Sequence, residues 1–312
     1  MAKIAAAAER ASAGRQNDAE SRRDAARRLA AGHGWTVTDV VCSRGPWDRP
    51  YDERHEDVTI AIVTSGTFQY RGSAANGREL MTPGSLLLGS PGQHFECGHE
   101  HGDGDRCLSF QFSPEYFAAI TAGAGAPAGR PFRSLRLPAV RPLSPAIAEA
   151  CAALGGSAGI AWEDLAVRLA VRAVQVDADV EPDGSAISAA AVARVTRTVR
   201  LMEAQAGADL TIVRLAREAR LSPFHYLRVF ESLTGVTPHQ YLRRSRLRTA
   251  AARLAAEPAR IVDIVLGAGF GDVSNFNRAF RTEFGVSPGL YRRRRTAAAA
   301  LPSPCDATAR SG

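Results

Sequence analysis

The sequence predicts an α+β protein of two domains: an N-terminal β-barrel with flanking helices, and a C-terminal all-α domain of two helix-turn-helix units joined by a long helix. Three observations lead to this prediction. Short β-type runs separated by turns occupy the first half of the 312-residue chain, a 20-residue stretch near the C-terminus occurs twice, and the two halves carry charge of opposite sign. All three divide the chain at about the same place.

The charge is divided unevenly between the two halves. Residues 185–295 carry a net +11 (19 arginines against 8 acidic residues), whereas residues 36–184 carry a net −7 (12 basic against 19 acidic residues). A basic half beside an acidic half is typical of a nucleic-acid-binding module joined to a domain of another kind. Alternatively, the basic residues only keep the helices soluble. That interpretation is disfavoured, because the charge boundary coincides with the repeat.

Composition excludes several classes of protein. No run of about eighteen apolar residues is present, which excludes a transmembrane helix and predicts no membrane partner. Ile4–Ala8 is followed directly by Glu9 and Arg10, so the N-terminus lacks the apolar segment of a signal peptide. Five scattered cysteines, an odd number, argue against a disulfide framework. We therefore expect a cytoplasmic protein.

The N-terminal half begins with a segment that cannot bury much surface. Residues 1–34 contain almost no large apolar side chain and are predicted to be a mobile arm. From Trp35 onward, short β-forming runs alternate with glycine and proline turns, which is typical of a sandwich or barrel. The predicted strands are 36–42, 58–64, 67–71, 85–88 and 107–112.

Helical patterns follow the strands. Three helices are predicted, at 116–120, 144–154 and 162–176, and the last has an apolar stripe that either covers the barrel or pairs two subunits. The polar stretch 177–188 contains Pro182 and Gly184 and is predicted to be a linker. The predicted divisions are 1–34 for the arm, 35–176 for the β domain, 177–188 for the linker, 189–295 for the helical domain and 296–312 for a disordered tail.

The helical domain contains an internal repeat. Residues 222–241 (SPFHYLRVFESLTGVTPHQY) align without a gap onto residues 272–291 (DVSNFNRAFRTEFGVSPGLY). An arginine, a phenylalanine, a glycine-valine pair, a proline and a tyrosine coincide in the two copies. A repeat of this kind indicates two copies of one structural unit.

Each copy has the start and stop signals of a short helix. Ser222 and Asp272 are N-cap residues whose side-chain oxygens can accept hydrogen bonds from the first free backbone N–H groups. Gly235 and Gly285 suit the left-handed conformation that commonly ends a helix. A four-residue spacing puts two aromatic side chains of each copy on one face, directed into a core: Tyr226 with Phe230, and Phe276 with Phe280.

A second short helical pattern precedes each copy, at 211–219 and at 261–268. Helix, tight turn and helix form the helix-turn-helix unit, whose second helix enters the major groove of DNA. Residues 238–256 form the long helix between the units, about 27 Å in length. A rod of that length can place two recognition helices in successive major grooves, which lie about 34 Å apart on one face of DNA.

These residues resemble the AraC/XylS family of transcription regulators over roughly residues 190–294. The resemblance rests on Leu215-Ala216, Leu221-Ser222, Arg228, Phe230, Thr234-Gly235 and Pro238–Tyr241, and on Ile261, Ile264, Gly269-Phe270, Asp272, Phe276, Arg278, Phe280, Phe284-Gly285, Ser287-Pro288 and Tyr291-Arg292.

Two positions depart from the family pattern. Arg220 stands where the first turn usually has glycine, and Val265 stands where the second unit usually has alanine. A left-handed arginine costs about 1 kcal/mol, so we expect a strained or differently shaped first turn.

The resemblance implies a sequence-specific regulator whose partners are double-stranded DNA, RNA polymerase, a small-molecule or metal effector and a second subunit. It implies a cupin-like barrel as the effector domain, an activator or repressor rather than an enzyme, and no catalytic residue. His55 stands beside Glu56 and Asp57 without the further histidines of the metal triad found in enzymatic cupins. A metal-dependent cupin enzyme and a metal or thiol sensor remain the alternative functions.

Two sets of residues are predicted to contact DNA. The exposed faces of the recognition helices supply the set for base contacts, and helix starts and arginines supply the set for phosphate contacts. The first set is Phe224, His225, Leu227, Arg228, Ser274, Asn275, Asn277 and Arg278. The second set is Ser222, Thr237, Arg243, Arg244, Ser287 and Arg292.

One other stretch has unusual chemistry. Cys97, His99, His101 and Cys107 are four soft or borderline ligands within eleven residues and could form a tetrahedral zinc site. Their spacing matches no established zinc motif, so a thiol sensor and an ordinary packed wall of the barrel are the alternatives. No other cofactor is predicted.

Overall fold

A computed structural model describes residues 24–72, 78–100, 104–124, 131–155, 161–180 and 188–300 of the chain. These residues form a double-sheet β domain with covering helices, followed by an all-α domain. No helix among them has the length and apolar character needed to cross a membrane.

The β domain contains one six-stranded and one four-stranded antiparallel sheet. The larger has the order β1-β2-β9-β4-β7-β10, and the smaller has the order β3-β8-β5-β6. The strands are β1 (Asp24–Gly32), β2 (Trp35–Cys42), β3 (Tyr51–Arg54), β4 (Val58–Gly66), β5 (Phe68–Gly72), β6 (Glu79–Met81), β7 (Leu86–Gly89), β8 (His94–Gly98), β9 (Asp105–Phe112) and β10 (Arg136–Leu137).

Three helices cover the outer face of the larger sheet: α1 (Pro114–Thr121), α2 (Ser144–Leu154) and α3 (Trp162–Asp179). The apolar stripe of α3, including Leu165 and Leu169, packs against Ile60, Leu108 and Phe110 of the sheet in one buried cluster. The stripe therefore covers the β domain, which is one of the two roles that the sequence allowed.

The all-α domain contains seven helices among the described residues. They are α4 (Ala189–Ala204), α5 (Ile212–Glu218), α6 (Pro223–Thr234), α7 (Pro238–Ala256), α8 (Ile261–Gly267), α9 (Val273–Phe284) and α10 (Pro288–Ala300). The pairs α5–α6 and α8–α9 are the two predicted helix-turn-helix units, and α7 is the predicted long helix between them.

Local signals set the boundaries of these helices. Ser222 and Asp272 accept hydrogen bonds from backbone N–H groups at the starts of α6 and α9, and Gly235 and Gly285 end these helices with φ of 71° and 73°. Arg220, in the turn between α5 and α6, is the one non-glycine residue in the described part of the chain with a positive φ, 54°. Of the two expectations for this turn, the structure has the strained left-handed arginine rather than a differently shaped turn.

The structure differs from three of the expected boundaries. Residues 24–32, expected in a mobile arm, form β1, which pairs with β2. This pairing uses backbone hydrogen bonds, which the sequence pattern of a segment poor in apolar side chains does not reveal. α3 continues into the expected linker because Asp177 is buried and accepts hydrogen bonds from the backbone N–H groups of Arg133 and Ser134 at 2.6 and 2.9 Å. α10 continues to Ala300, into the expected tail. Residues 1–23, 181–187 and 301–312 lie outside the described residues.

Candidate nucleic-acid interface

The predicted base-contacting face of the first unit lies on α6. Phe224 is 71% exposed and Leu227 is 38% exposed, and His225 and Arg228 are also exposed. The Arg228 guanidinium carbon lies 6.0 Å from the centre of the Phe224 ring. This surface combines apolar groups that suit thymine methyl groups with a cation that suits guanine or phosphate.

α9 presents the corresponding surface of the second unit. Ser274, Asn275, Asn277 and Arg278 are all exposed. The Asp272 carboxylate accepts hydrogen bonds from the backbone N–H groups of Ser274 and Asn275 at 3.1 and 2.7 Å, which fixes the first turn. This surface is more polar than that of α6, and its amides can pair with adenine, so we expect the two units to prefer different bases.

Both faces rest on buried aromatic side chains. Tyr226 and Phe230 of α6 are fully buried, and the Tyr226 hydroxyl donates a hydrogen bond to Thr198 Oγ1 at 3.0 Å. Phe276 and Phe280 of α9 are also fully buried, with their ring centres 5.3 Å apart. The aromatic anchors fix the rotation of each helix and keep the predicted base-contacting side chains in solvent.

Three of the predicted phosphate contacts are N-cap residues. The hydroxyl oxygens of Ser222, Thr237 and Ser287 each accept a hydrogen bond of 3.3 Å from the backbone N–H three residues later. These hydroxyls are therefore engaged within their own helices. The N–H groups that remain free in each first turn are the ones that can bind an anion.

The arginines of the phosphate set occupy different environments. Arg244 is 8% exposed, and its Nε donates a hydrogen bond to Glu283 Oε1 at 3.2 Å, so the prediction that Arg244 contacts phosphate is wrong. The reason is that Arg244 lies on the inner side of α7, facing α9. Arg292 is half-buried and donates to the Ala259 carbonyl at 2.7 Å. Arg243 is half-buried, and its Nε has no partner among the described residues.

The β domain contacts the first helix-turn-helix unit at the C-terminal end of α6. Arg136 of β10 donates one hydrogen bond to the Thr234 carbonyl at 3.0 Å and a second to Glu79 at 2.8 Å. Leu80 of β6 is 2% exposed and belongs to the same buried cluster as Phe230. The core of this unit is therefore completed by a residue of the β domain.

A second contact joins the β domain to the other unit. Ser144, at the start of α2, donates a hydrogen bond to Glu283 Oε1 of α9 at 2.5 Å. Glu149 of α2 accepts an ion pair from Arg295 of α10 at 3.3 Å. The sequence did not predict these contacts, because no local pattern marks two residues that meet across domains.

The space between the two sheets contains a buried histidine. His55 is 1% exposed, its ring is stacked on Phe95 at 4.2 Å between ring centres, and its Nε2 lies 2.8 Å from the Tyr70 hydroxyl. A Cβ at Gly89 would lie 2.4 Å from this ring, so the glycine makes room for it. Burial lowers the pKa of His55 to about 3. The ring is therefore neutral at physiological pH, with Nδ1 lacking a partner among the described residues.

Acid is expected to weaken the fold through His55. The unfolded chain binds a proton here below pH about 6.5 while the folded chain does not, so stability falls by about 1.4 kcal/mol per pH unit from there towards pH 3. Between pH 6.5 and 5, the free energy of unfolding of the wild type, measured with urea, should therefore fall by about 2 kcal/mol more than that of His55→Gln. His94→Gln, which replaces an exposed histidine of β8, is the control. Parallel stability curves for wild type and His55→Gln would contradict the assignment.

The predicted zinc ligands are only partly brought together. Cys97, His99 and Cys107 are buried, and His101 lies outside the described residues. The ligand atoms that cluster most closely among the described residues belong to His99, Cys42 and Asp105. The sequence prediction thus named one member of this cluster and missed the two that strand pairing supplies.

Comparison with known proteins gives two matches to family models. Residues 215–294 match a model described as a helix-turn-helix domain, and residues 40–170 match one described as an AraC-like ligand binding domain. The two models coincide with the α5–α10 region and with the β domain, respectively.

Two curated relatives match part of the chain. The chain is 37% identical over 100 residues to the transcriptional activator NphR of a Rhodococcus species, covering 32% of this chain and 30% of that protein. It is 31% identical over 85 residues to the regulator MtrA of Neisseria gonorrhoeae, covering 27% and 28%. The chain thus spans less than a third of the length of either relative.

A solved AraC-type regulator from Chromobacterium violaceum is 28% identical, with a TM-score of 0.33, and the match covers 37% of this chain and all (100%) of that one.

Proposed function

The chain belongs to the AraC family of transcription regulators, and from this premise we propose that it binds specific DNA sequences through α6 and α9 under the control of an effector. The observation that carries the proposal is the pair of exposed, chemically distinct faces on α6 and α9. They belong to two copies of one unit and are joined by a single helix, α7. The 19 residues of α7 make a rod of about 27 Å. We propose that one monomer binds across two adjacent major grooves.

The proposed contacts divide into those that specify and those that position. Arg228 and Arg278 occupy equivalent sites in the two copies and are proposed to read guanine or to bind phosphate beside the bases. The helix starts at Ser222, Thr237 and Ser287 are proposed to bind backbone phosphates through their free N–H groups. The net +11 of residues 185–295 supports the proposal, because phosphate contacts provide most of the non-specific affinity for DNA.

We place effector sensing in the β domain, between its two sheets. His55 supports this placement, because a buried Nδ1 without a partner can take a hydrogen bond from a bound molecule. Arg136 and Ser144 connect this domain to the two recognition units. An effector that favours one arrangement of these contacts would change the spacing of α6 and α9, and hence the affinity for the operator.

The proposal also covers the cellular location and the protein partners. A regulator of this family acts where chromosomal DNA and RNA polymerase are present, so we propose a cytoplasmic protein with RNA polymerase as a partner and without enzymatic activity. A homodimer would have to use a surface other than the apolar stripe of α3, which is buried within the chain.

Selection from a random duplex library tests the proposal. Wild type should enrich sites with two sequence motifs about one helical turn apart. Arg228→Ala should weaken the base preference within one motif and Arg278→Ala that within the other, because loss of a good base contact costs about 1–3 kcal/mol of discrimination between bases. If an arginine contacts only phosphate, its removal should instead lower affinity for all sequences and reduce the salt slope by about 1.

Arg172→Ala is the matched control, because it removes the same charge from an exposed position on α3. It should leave both motifs and the salt slope unchanged. If the wild type enriches no site and its binding is lost at moderate salt, then the helical domain is a non-specific basic module.

A further inference from the structure

Three parts of the β domain meet at one end of the space between the sheets. Cys42 ends β2, Asp105 begins β9, and the two residues are register partners in the larger sheet. His99 follows directly after β8 of the smaller sheet. A thiol from β2, a carboxylate from β9 and an imidazole from the residue after β8 are thus brought together.

The ligand atoms of these residues lie close together. Cys42 Sγ and the nearest ligand atoms of His99 and Asp105 all lie within 4.8 Å of one another. His99 Nε2 is 2.6 Å from Asp105 Oδ1, and Cys107 Sγ donates a hydrogen bond to Asp105 Oδ2 at 3.2 Å. Both carboxylate oxygens are therefore directed at other metal-ligating groups.

The cluster is buried, and its backbone is closely packed. Cys42 and His99 are each 4% exposed and Cys107 is 6% exposed, while the Asp105 side chain is 7% exposed. Gly104 has a φ of 79°, and a Cβ there would lie 2.4 Å from the Cys42 carbonyl oxygen. The left-handed glycine allows the chain to turn against β2 and places Asp105 beside Cys42.

We propose that Cys42, His99 and Asp105 bind one Zn²⁺ ion, with Cys107 as the fourth ligand. Zinc prefers four ligands of these types at about 2.0–2.3 Å, so the ligand atoms of a tetrahedral site lie about 3.5 Å apart. The separations of 2.6 and 3.2 Å around Asp105 are both shorter than this spacing, and Cys107 lies outside the group of atoms within 4.8 Å of one another. Side-chain rotations that lengthen the first two separations and bring Cys107 Sγ inward form the site. Binding displaces the thiol protons of Cys42 and Cys107, which leave to solvent, and His99 binds through Nε2 with its own proton on Nδ1.

A hydrogen-bonded cluster without metal is the competing explanation. Asp105 has no lysine or arginine partner within the described residues, and its nearest neighbours are an imidazole and a thiol. A buried carboxylate in such a setting is more favourable with a bound cation. Thiolate and imidazole ligands together select zinc over magnesium or calcium. This site is independent of the proposed DNA-binding role, and it differs from a site of Cys97, His99, His101 and Cys107.

Cobalt titration of the untagged, chelator-treated 312-residue chain under reducing conditions tests the site. One Co²⁺ per chain should produce the thiolate charge-transfer and tetrahedral d–d bands, and one equivalent of Zn²⁺ should remove them. Cys42→Ser and His99→Gln should each weaken Zn²⁺ binding by at least about tenfold. Cys107→Ser should reduce the charge-transfer intensity, because one of two thiolate ligands is lost.

Cys151→Ser is the matched control, since Cys151 lies on α2 outside the cluster. Far-ultraviolet circular dichroism of each variant in the absence of metal establishes that it is folded. Absence of the cobalt bands in wild type, or bands that persist in both Cys42→Ser and His99→Gln, would overturn the proposal. Bands lost only in Cys97→Ser or His101→Gln would overturn it in favour of the local sequence cluster.

Discussion

Replacing Glu283 by alanine is expected to lower the free energy of unfolding by about 3–5 kcal/mol, because it leaves a buried cation without its anion. Glu283 is 4% exposed, and its Oε1 accepts hydrogen bonds from Arg244 and from Ser144. Burial lowers the pKa of the Arg244 guanidinium, and the Glu283 carboxylate opposes that shift. Urea unfolding at neutral pH, followed by circular dichroism, measures the loss.

The matched variant is Ser144→Ala, which removes one hydrogen bond to Glu283 and leaves its ion pair with Arg244 in place. It should cost about 1 kcal/mol, the usual net contribution of one hydrogen bond. The difference between the two variants separates the contact across the domains from the ion pair within the helical domain. Equal losses for Glu283→Ala and Ser144→Ala would mean that the buried ion pair contributes nothing.

The helical domain was predictable because its signals are local. The caps Ser222 and Asp272 and the glycines Gly235 and Gly285 lie within or beside the helices they limit. The left-handed Arg220 followed from the family resemblance, because Arg220 stands where the turn usually has glycine. Exposure of the predicted base-contacting residues then followed from helical periodicity, because the opposite face carries the buried aromatic side chains.

The β domain was less predictable because its elements depend on pairing between distant residues. β1 has a single large apolar side chain, Leu29, which is too little to mark it as a strand, and its pairing with β2 uses backbone groups that every residue has. The predicted metal ligands were neighbours in sequence, whereas β2 and β9 bring Cys42 to Asp105 from distant parts of the chain. Sequence spacing therefore included His99 of this cluster and missed Cys42 and Asp105.

Contacts between the domains were unpredictable for a further reason. Arg136 bonds the backbone carbonyl of Thr234, an acceptor that carries no sequence signal. Arg244 belongs to a run of arginines that looks uniformly suited to phosphate, yet its place on the inner face of α7 makes it half of a buried ion pair. The role of each arginine is set by the helix face it occupies once α9 packs beside α7.

Phe230→Ala and Phe280→Ala are each expected to cost about 3–5 kcal/mol and to disable one recognition unit while sparing the other. Phe230 and Phe280 are fully buried and occupy equivalent repeat positions. Phe230 packs with Tyr226 and Tyr241 in one cluster, and Phe280 packs with Phe276 and other aromatic residues in a second cluster. Since the clusters share no residue, the cavity left by one substitution should loosen one unit.

Two measurements on each variant check this expectation. The backbone amides of α6 should lose protection from hydrogen exchange in Phe230→Ala, and those of α9 in Phe280→Ala, because local opening follows local packing. Selection from the same random library should retain the motif of the intact unit. Phe230→Leu and Phe280→Leu, which keep most of the buried volume, should retain both motifs. If either alanine variant loses both motifs and both sets of protected amides together, then α7 couples the two units into one cooperative structure, and the two grooves are read as a single site.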